Sequence, residues 1–242
     1  MKRNFLIISL FAICSLTLLS SNMFAGGKKG FKGTVTYSIN YESEELTPAQ
    51  KAYMPKKYVI AIMDNVSKEI MDYGMASQYT ISDPTSDRHV IMFEAGEKKV
   101  YYKSSLKEYL FKQDSATKAS ADITTDLINE TKIIAGFECK KAVVTVTPKD
   151  TADGEAQTII VYYCPTIGSK DLNAGDIFSE IDGMLLEYFI ETENMKVTYS
   201  ATEVKKGGVS AIDFLIPDDF KELSKEEFKK LMSGGGEEGG DE

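Results

Sequence analysis

One histidine, three cysteines and 37 acidic side chains make up most of the reactive inventory of this 242-residue chain. His89 stands in Ser86-Asp87-Arg88-His89-Val90, at the entrance of a strand. Without a second histidine a His-rich zinc centre is excluded, and any Ser-His-Asp triad would have to use His89. No serine occupies a GxSxG elbow, and Ile167-Gly168-Ser169-Lys170 reads as a loop. His89 is therefore expected at the surface or at a strand end, with no catalytic role. Carboxylates pair at Glu44-Glu45, Asp218-Asp219 and Glu226-Glu227, as they do on the solvated surface of any acidic chain. Spacing alone selects no acid–base couple among them. Asp150, Asp153 and Glu155 around Gly154 lack the ligand spacing of an EF-hand and suit a hairpin turn. Lys206-Gly207-Gly208 joins two strands and opens no helix, so it is not a phosphate loop. The expectation is a chain with no enzymatic activity, no cofactor and no metal.

Cys139 and Cys164 bracket the stretch that constrains the fold most, Ile133 to Pro165. Lys140 to Thr147 and Gln157 to Tyr163 are rich in β-branched residues, and Pro148 to Gly154 between them is turn chemistry. Centring the turn on Thr151 and Ala152 pairs Val143 with Ile160, Lys141 with Tyr162, and Cys139 with Cys164. Directly opposed antiparallel residues lie ~4.5–5.5 Å apart at Cα, inside the window a disulfide tolerates. Such a bond would contribute roughly 3 kcal/mol by loop entropy. A one-residue slip would instead put the sulfurs on opposite faces, and two buried, unpaired thiols acting as small hydrophobes are the other reading. A two-cysteine metal or redox site lacks both CxxC spacing and histidine ligands.

The oxidising compartment that favours a disulfide is read from the N-terminus. Residues 1–25 form a secretory signal peptide, with Lys2 and Arg3 as its basic start, an apolar run from Phe5 to Leu19, and small residues before cleavage near Ala25. That run is too short for a confident transmembrane helix. Cys14 lies within it, follows Ile13 rather than a small residue, and leaves with the leader, so no lipoprotein attachment is expected. Cleavage removes two bases and no acid, taking the formal charge from −9 to −11. An acidic surface argues against nucleic acid and against adhesion to anionic membranes. Residues 26–232 suit one β domain with a sizeable core. Residues 233–242, Gly- and Glu-rich with nothing apolar to bury, read as a disordered acidic tail.

The elements follow from hydrophobic alternation. From Phe31 to Tyr41 the apolar Phe31, Val35, Tyr37, Ile39 and Tyr41 share one face, and Lys32, Thr34, Thr36, Ser38 and Asn40 share the other. Thr47-Pro48-Ala49-Gln50 is a capping box opening a short helix that Pro55 stops. Strands are expected over Lys57 to Met63, Ser67 to Tyr73, Gln78 to Ser82, Arg88 to Glu94 and Lys98 to Lys103. Leu106 to Phe111 fits strand or helix, and Lys112 to Thr125 reads as a polar mobile loop with a weak helical preference. Leu127 to Ile134 is a strand, with a bend or bulge at Gly136. A turn or short helix is placed around Asp176 to Ile181. Strands over Met184 to Thr192, Lys196 to Lys205 and Ser210 to Ile216 follow, the first two joined by Glu193-Asn194. Ser224-Lys225-Glu226-Glu227 is a second capping box, opening a helix to about Met232. About ten strands with only short helices imply a mainly β protein: a large curved antiparallel sheet or half-open barrel, with short helices over its mouth. Val144, Val146, Ile159, Val161 and Tyr163 fall on one side of the central hairpin, and Val143, Ile160 and Tyr162 on the other. Apolar character on both sides means either a packed core or a greasy cavity, which Val35, Tyr37, Ile39, Val144, Val146, Ile159, Val161 and Tyr163 would line.

Four segments carry a family resemblance: Phe31 to Tyr37, Ile134-Ala135-Gly136-Phe137-Glu138-Cys139-Lys140-Lys141-Ala142, Asp182 to Glu187, and Phe214 to Phe220. Together they resemble secreted, mostly uncharacterised envelope proteins of Gram-negative bacteria that carry a domain of unknown function, akin to the GLPGLI proteins and more distantly to LolA and LolB. The resemblance implies a LolA-like half-open barrel with a helical lid, a fold whose known members hold acyl chains. The leading expectation is an exported module, periplasmic or at the cell surface, that shelters an apolar ligand, lipid or lipidated peptide, and is not an integral membrane protein. The alternative is a structural or interaction protein with a filled core that meets an envelope protein partner.

Overall fold

The computed structural model describes residues 30–43, 45–149, 156–192 and 195–233. The expected leader, the acidic tail beyond Ser233, Glu44, and the turns at residues 150–155 and 193–194 lie outside these. Twelve strands form a single sheet. They are β1 (Lys32–Glu42), β2 (Lys57–Met63), β3 (Val66–Asp72), β4 (Ala76–Asp83), β5 (Arg88–Ala95), β6 (Lys98–Ser105), β7 (Ala121–Ile134), β8 (Phe137–Pro148), β9 (Gln157–Cys164), β10 (Met184–Thr192), β11 (Met195–Lys206) and β12 (Lys221–Glu222). The spatial order is β12-β6-β5-β4-β3-β2-β1-β11-β10-β9-β8-β7. Every ladder is antiparallel except β12 on β6. The sheet ends at β12 and β7, so it does not close.

It does curl. The Tyr37 phenol on β1 senses the Cys139 thiol on β8, and the Tyr188 phenol on β10 senses the Glu69 carboxylate on β3. Each pair is four ladder steps apart, and a flat sheet would hold such strands about 19 Å from one another. The face carrying these four side chains is therefore concave. The fold is the mainly β half-barrel that alternation implied.

Register copies the sequence pattern closely. Val143 faces Ile160 and Lys141 faces Tyr162, as the hairpin geometry required. Val35 meets Ile60, which meets Glu69, which meets Thr80, so these four share the concave face. All eight residues expected to line the interior belong to one core: Val35, Tyr37, Val144, Ile159, Val161 and Tyr163 are buried, and Ile39 and Val146 pack against them.

Three helices complete the fold: α1 (Pro48–Ala52), α2 (Leu106–Ser120) and α3 (Lys225–Met232). The capping boxes at Thr47 and Ser224 start α1 and α3 as read. Residues 112–125 form no mobile loop. Ser105 caps α2 by accepting from the Glu108 amide, and the helix runs on to Ser120 with Glu108–Lys112 and Asp114–Lys118 paired one turn apart. Such i,i+4 pairs support a helix that lacks a continuous apolar stripe, which is why hydrophobic periodicity missed it. From Ala121 the chain enters β7 directly, and the β-branched Ile123, Thr124 and Thr125 lie inside it. Ala135 and Gly136 are not a bulge. Both have positive φ, 49° and 81°, and form the two-residue turn between β7 and β8 that suits the sheet's twist. Ser210 to Ile216 is no strand either. Ser210 donates to the Asp213 carboxylate from its amide (2.7 Å) and its hydroxyl (2.9 Å), winding a single 3-10 turn over Ala211–Phe214.

That turn begins a C-terminal strap. Phe214 packs near Ala61, and Ile216 and Phe220 cover Ile81, Val90 and Met92 on the convex face. Arg88 and Lys68 donate to the Phe214 and Asp213 carbonyls, and Lys99 meets Asp219 at 2.8 Å. The strap then turns the edge of β6 as β12 and sets Phe228 of α3 against Tyr102 on the concave side (6.1 Å). At the other end of the core, the loop from Pro165 to Gly183 is fixed by buried Asn173, whose amide donates to the carbonyls of Ile181 (2.7 Å) and Gly183 (2.8 Å). Asn173→Ala would strand both carbonyls and should lower unfolding free energy by about 2–3 kcal/mol in a urea titration; a loss below about 0.5 kcal/mol would remove this role.

Candidate functional site

The concave face has two halves. From β8 through β11 and β1 to β2 it is aliphatic and aromatic, with Tyr37, Tyr58, Tyr188 and Tyr199 in contact: Tyr37–Tyr58 5.3 Å, Tyr58–Tyr199 5.9 Å and Tyr188–Tyr199 4.9 Å between centroids. Burial raises the Tyr37, Tyr58 and Tyr188 phenols well above the usual tyrosine range, so all three stay neutral. Tyr37 donates to the Leu185 carbonyl at 2.7 Å, while the Tyr188 hydroxyl meets no partner.

From β3 to β5 the same face turns polar. Ser67 faces Ser82, which faces His89, and Glu69 faces Thr80 one step along. All five are buried. The Tyr58 hydroxyl reaches across to Glu69 Oε2 at 2.8 Å. Sequence reasoning missed this group because small hydroxyls and a glutamate within a strand give no local sign that they face inward. The usable signal was their parity: Glu69 lies in register with Ile60 and Val35.

His89 is not at the surface; it is 2% exposed. Its Nδ1 lies 3.3 Å from the Ser82 hydroxyl, its Nε2 meets no partner, and the ring stacks on Tyr109 of α2 at 3.9 Å. A triad needs an acid on the second ring nitrogen, and none is supplied here. The strand-entrance position read from sequence is correct, but α2 arrives over it from a distant part of the chain.

α2 is the cover. It contacts β5, β6 and β7, and thus runs from the strands beside one margin of the half-barrel to the other margin at β7; fifteen residues span about 22 Å. Leu106 and Leu110 are its only buried residues, and Phe111 is 72% exposed. The cover rests on a few side chains at its N-terminal half.

Cys139 and Cys164 are both buried and both free thiols, so the expected disulfide is not formed in this structure. The register does bring them together. Alternation breaks at Lys140-Lys141, which buries Cys139 and Ala142 alike, and the Cys139 thiol donates to the Phe137 carbonyl at 3.6 Å. Cys164 Sγ lies 3.2 Å from the Thr166 hydroxyl; the neighbouring Cys139 thiol, that hydroxyl and the Thr166 and Ile167 amides push the Cys164 thiol down. The neighbouring Cys164 thiol and burial push Cys139 up. Among the described residues no group of three His, Cys, Asp or Glu side chains suits a metal ion, and no helix is long and apolar enough to cross a membrane.

No protein-family model and no curated protein matches the sequence. Among solved structures, the chain is similar to LprF from Mycobacterium bovis, with a TM-score of 0.32, 10% identity, and coverage of 88% of this chain and 95% of that one. It is also similar to the hypothetical lipoprotein YmcC from Escherichia coli, with a TM-score of 0.30, 10% identity, and coverage of 75% and 92%. Superpositions this loose assign neither ligand nor activity.

Burial lowers the His89 pKa to about 4, against roughly 6.5 when free. As pH falls through that interval the unfolded chain takes up the proton first. The neutral ring therefore contributes fully above about pH 6.5, and its contribution is lost towards pH 4. Urea unfolding should show roughly 3 kcal/mol of acid destabilisation from this ring, and His89→Gln should flatten that slope. An unchanged slope would mean that His89 is not held neutral by the fold.

Proposed function

We propose that this protein is an exported, non-catalytic binding module that shelters an apolar ligand, a lipid or lipidated peptide, between its concave face and α2. One observation carries the reading: a half-barrel that does not close carries a continuous apolar lining on its concave face, covered by the loop from Pro165 to Gly183, with Phe178 against Tyr188 (5.6 Å), and by one helix with two buried anchors. A helix so lightly held can lift without unfolding the sheet. The residue-level resemblance to secreted envelope proteins supports the same reading. Native mass spectrometry of protein purified from membranes should show a bound lipid-sized mass, and 1-N-phenylnaphthylamine should brighten on mixing with the stripped protein. A ligand-free species that ignores the dye would instead favour a structural or interaction protein of the envelope, a role consistent with the closely packed tyrosines.

In an oxidising compartment the same reading joins Cys139 to Cys164. The Cys164 thiolate attacks the disulfide of an oxidant such as oxidised glutathione and displaces one glutathione thiolate. Cys139 then attacks the mixed disulfide and releases the second, so two protons leave and two electrons pass to the oxidant. Refolding with oxidised glutathione should give monomer with no thiol titratable in denaturant and a mass about 2 Da lower. Two titratable thiols after that treatment would rule the crosslink out.

A further inference from the structure

Five of the six buried polar residues among those described lie side by side on one part of the concave face: Ser67 and Glu69 on β3, Thr80 and Ser82 on β4, and His89 on β5. Apolar side chains would fill that space with less penalty, because a buried donor or acceptor without a partner is destabilising. Ser67 Oγ, His89 Nε2 and Tyr188 Oη meet no partner, although each belongs to a residue no more than 2% exposed. Tyr188 is linked to the row through other tyrosines: the Tyr58 hydroxyl meets Glu69 at 2.8 Å, the Tyr58 ring meets Tyr199, and Tyr188 stacks on Tyr199. Above the row lies the cover itself, with Tyr109 flat on His89. Of these atoms, His89 Nε2 belongs to the ring that α2 covers.

The lack of a buried cation narrows what could satisfy them. Glu69 is the only acid among the buried residues described, and no lysine or arginine is buried with it. The chain as a whole is acidic, with a formal charge of −9.

We propose that the β3–β5 row seats the polar head of an amphiphile, a head that donates hydrogen bonds and carries no negative charge, such as a primary amine or an alcohol. The proposal rests on the binding-module reading and adds the ligand's chemical class. With α2 lifted, the head donates to the Glu69 carboxylate and exchanges hydrogen bonds with Ser67 Oγ and His89 Nε2, while the alkyl chain runs along the apolar wall of β1 and β8–β10. A carboxylate or phosphate head would enter a poorly solvating interior with no buried lysine or arginine to pair with it, and is disfavoured by desolvation.

The test is displacement of 1-N-phenylnaphthylamine from the folded protein near neutral pH by dodecylamine, dodecanol and dodecanoate, which share one chain length. Dodecylamine and dodecanol should displace the dye at concentrations about tenfold or more below dodecanoate. Glu69→Gln should erase the amine's advantage over the alcohol, and Ser67→Ala should weaken both while leaving dodecanoate unchanged. If Glu69→Gln loses the β circular-dichroism signal, the Ser67→Ala ranking decides. Dodecanoate binding as well as the amine would overturn the polar seat and leave the binding module standing. Displacement by none of the three would overturn both.

Discussion

The whole molecule depends on the register of one long run of antiparallel ladders. Side chains in a strand alternate faces, so a slip of one residue would turn every interior position outward. In the observed register Tyr37, Tyr58, Tyr188 and Tyr199 meet over the concave face, and Glu69 and His89 come to lie inside it. The Ala135-Gly136 turn sets the β7–β8 hairpin, and the strap across β4–β6 holds the opposite margin. The two margins are fixed but unjoined, and α2 lies against β5, β6 and β7 with Leu106 and Leu110 buried.

Much of this was legible because the strands obey a period of two. The alternation of Phe31 to Tyr41, the hairpin pairing of Val143 with Ile160, and the two capping boxes all follow from local rules. What escaped detection is what depends on partners far away in sequence. The helical character of residues 112–120 rests on ion pairs and a cap, not on an apolar stripe. The strap from Ser210 looked like a strand because its apolar residues do alternate, yet they serve to cover a face that β4–β6 had already built. The burial of Ser67, Glu69, Thr80, Ser82 and His89 could be anticipated only by carrying parity from strand to strand, since each alone resembles a surface residue.

The interior is therefore asymmetric, with an aliphatic and aromatic wall on one side and a hydrogen-bonding row on the other. A core selected for stability alone has little use for a buried carboxylate, a neutral histidine and three unpartnered polar atoms in one neighbourhood. On the proposed reading, with His89 under the stacked Tyr109 of α2, those same groups form a site that is shut rather than one that is filled. The two thiols belong to a different part of the structure, the junction of β8 and β9, where they would brace the greasy wall rather than contact the polar row.

The central claim is that α2 moves independently of the sheet. Amide hydrogen exchange as a function of low denaturant concentration reads this directly. The account predicts that α2 amides exchange through a local opening, faster than those of β4 and β5 and with almost no dependence on denaturant. If α2 instead exchanges with the same free energy and denaturant slope as β4 and β5, it opens only when the sheet unfolds, and the claim is contradicted.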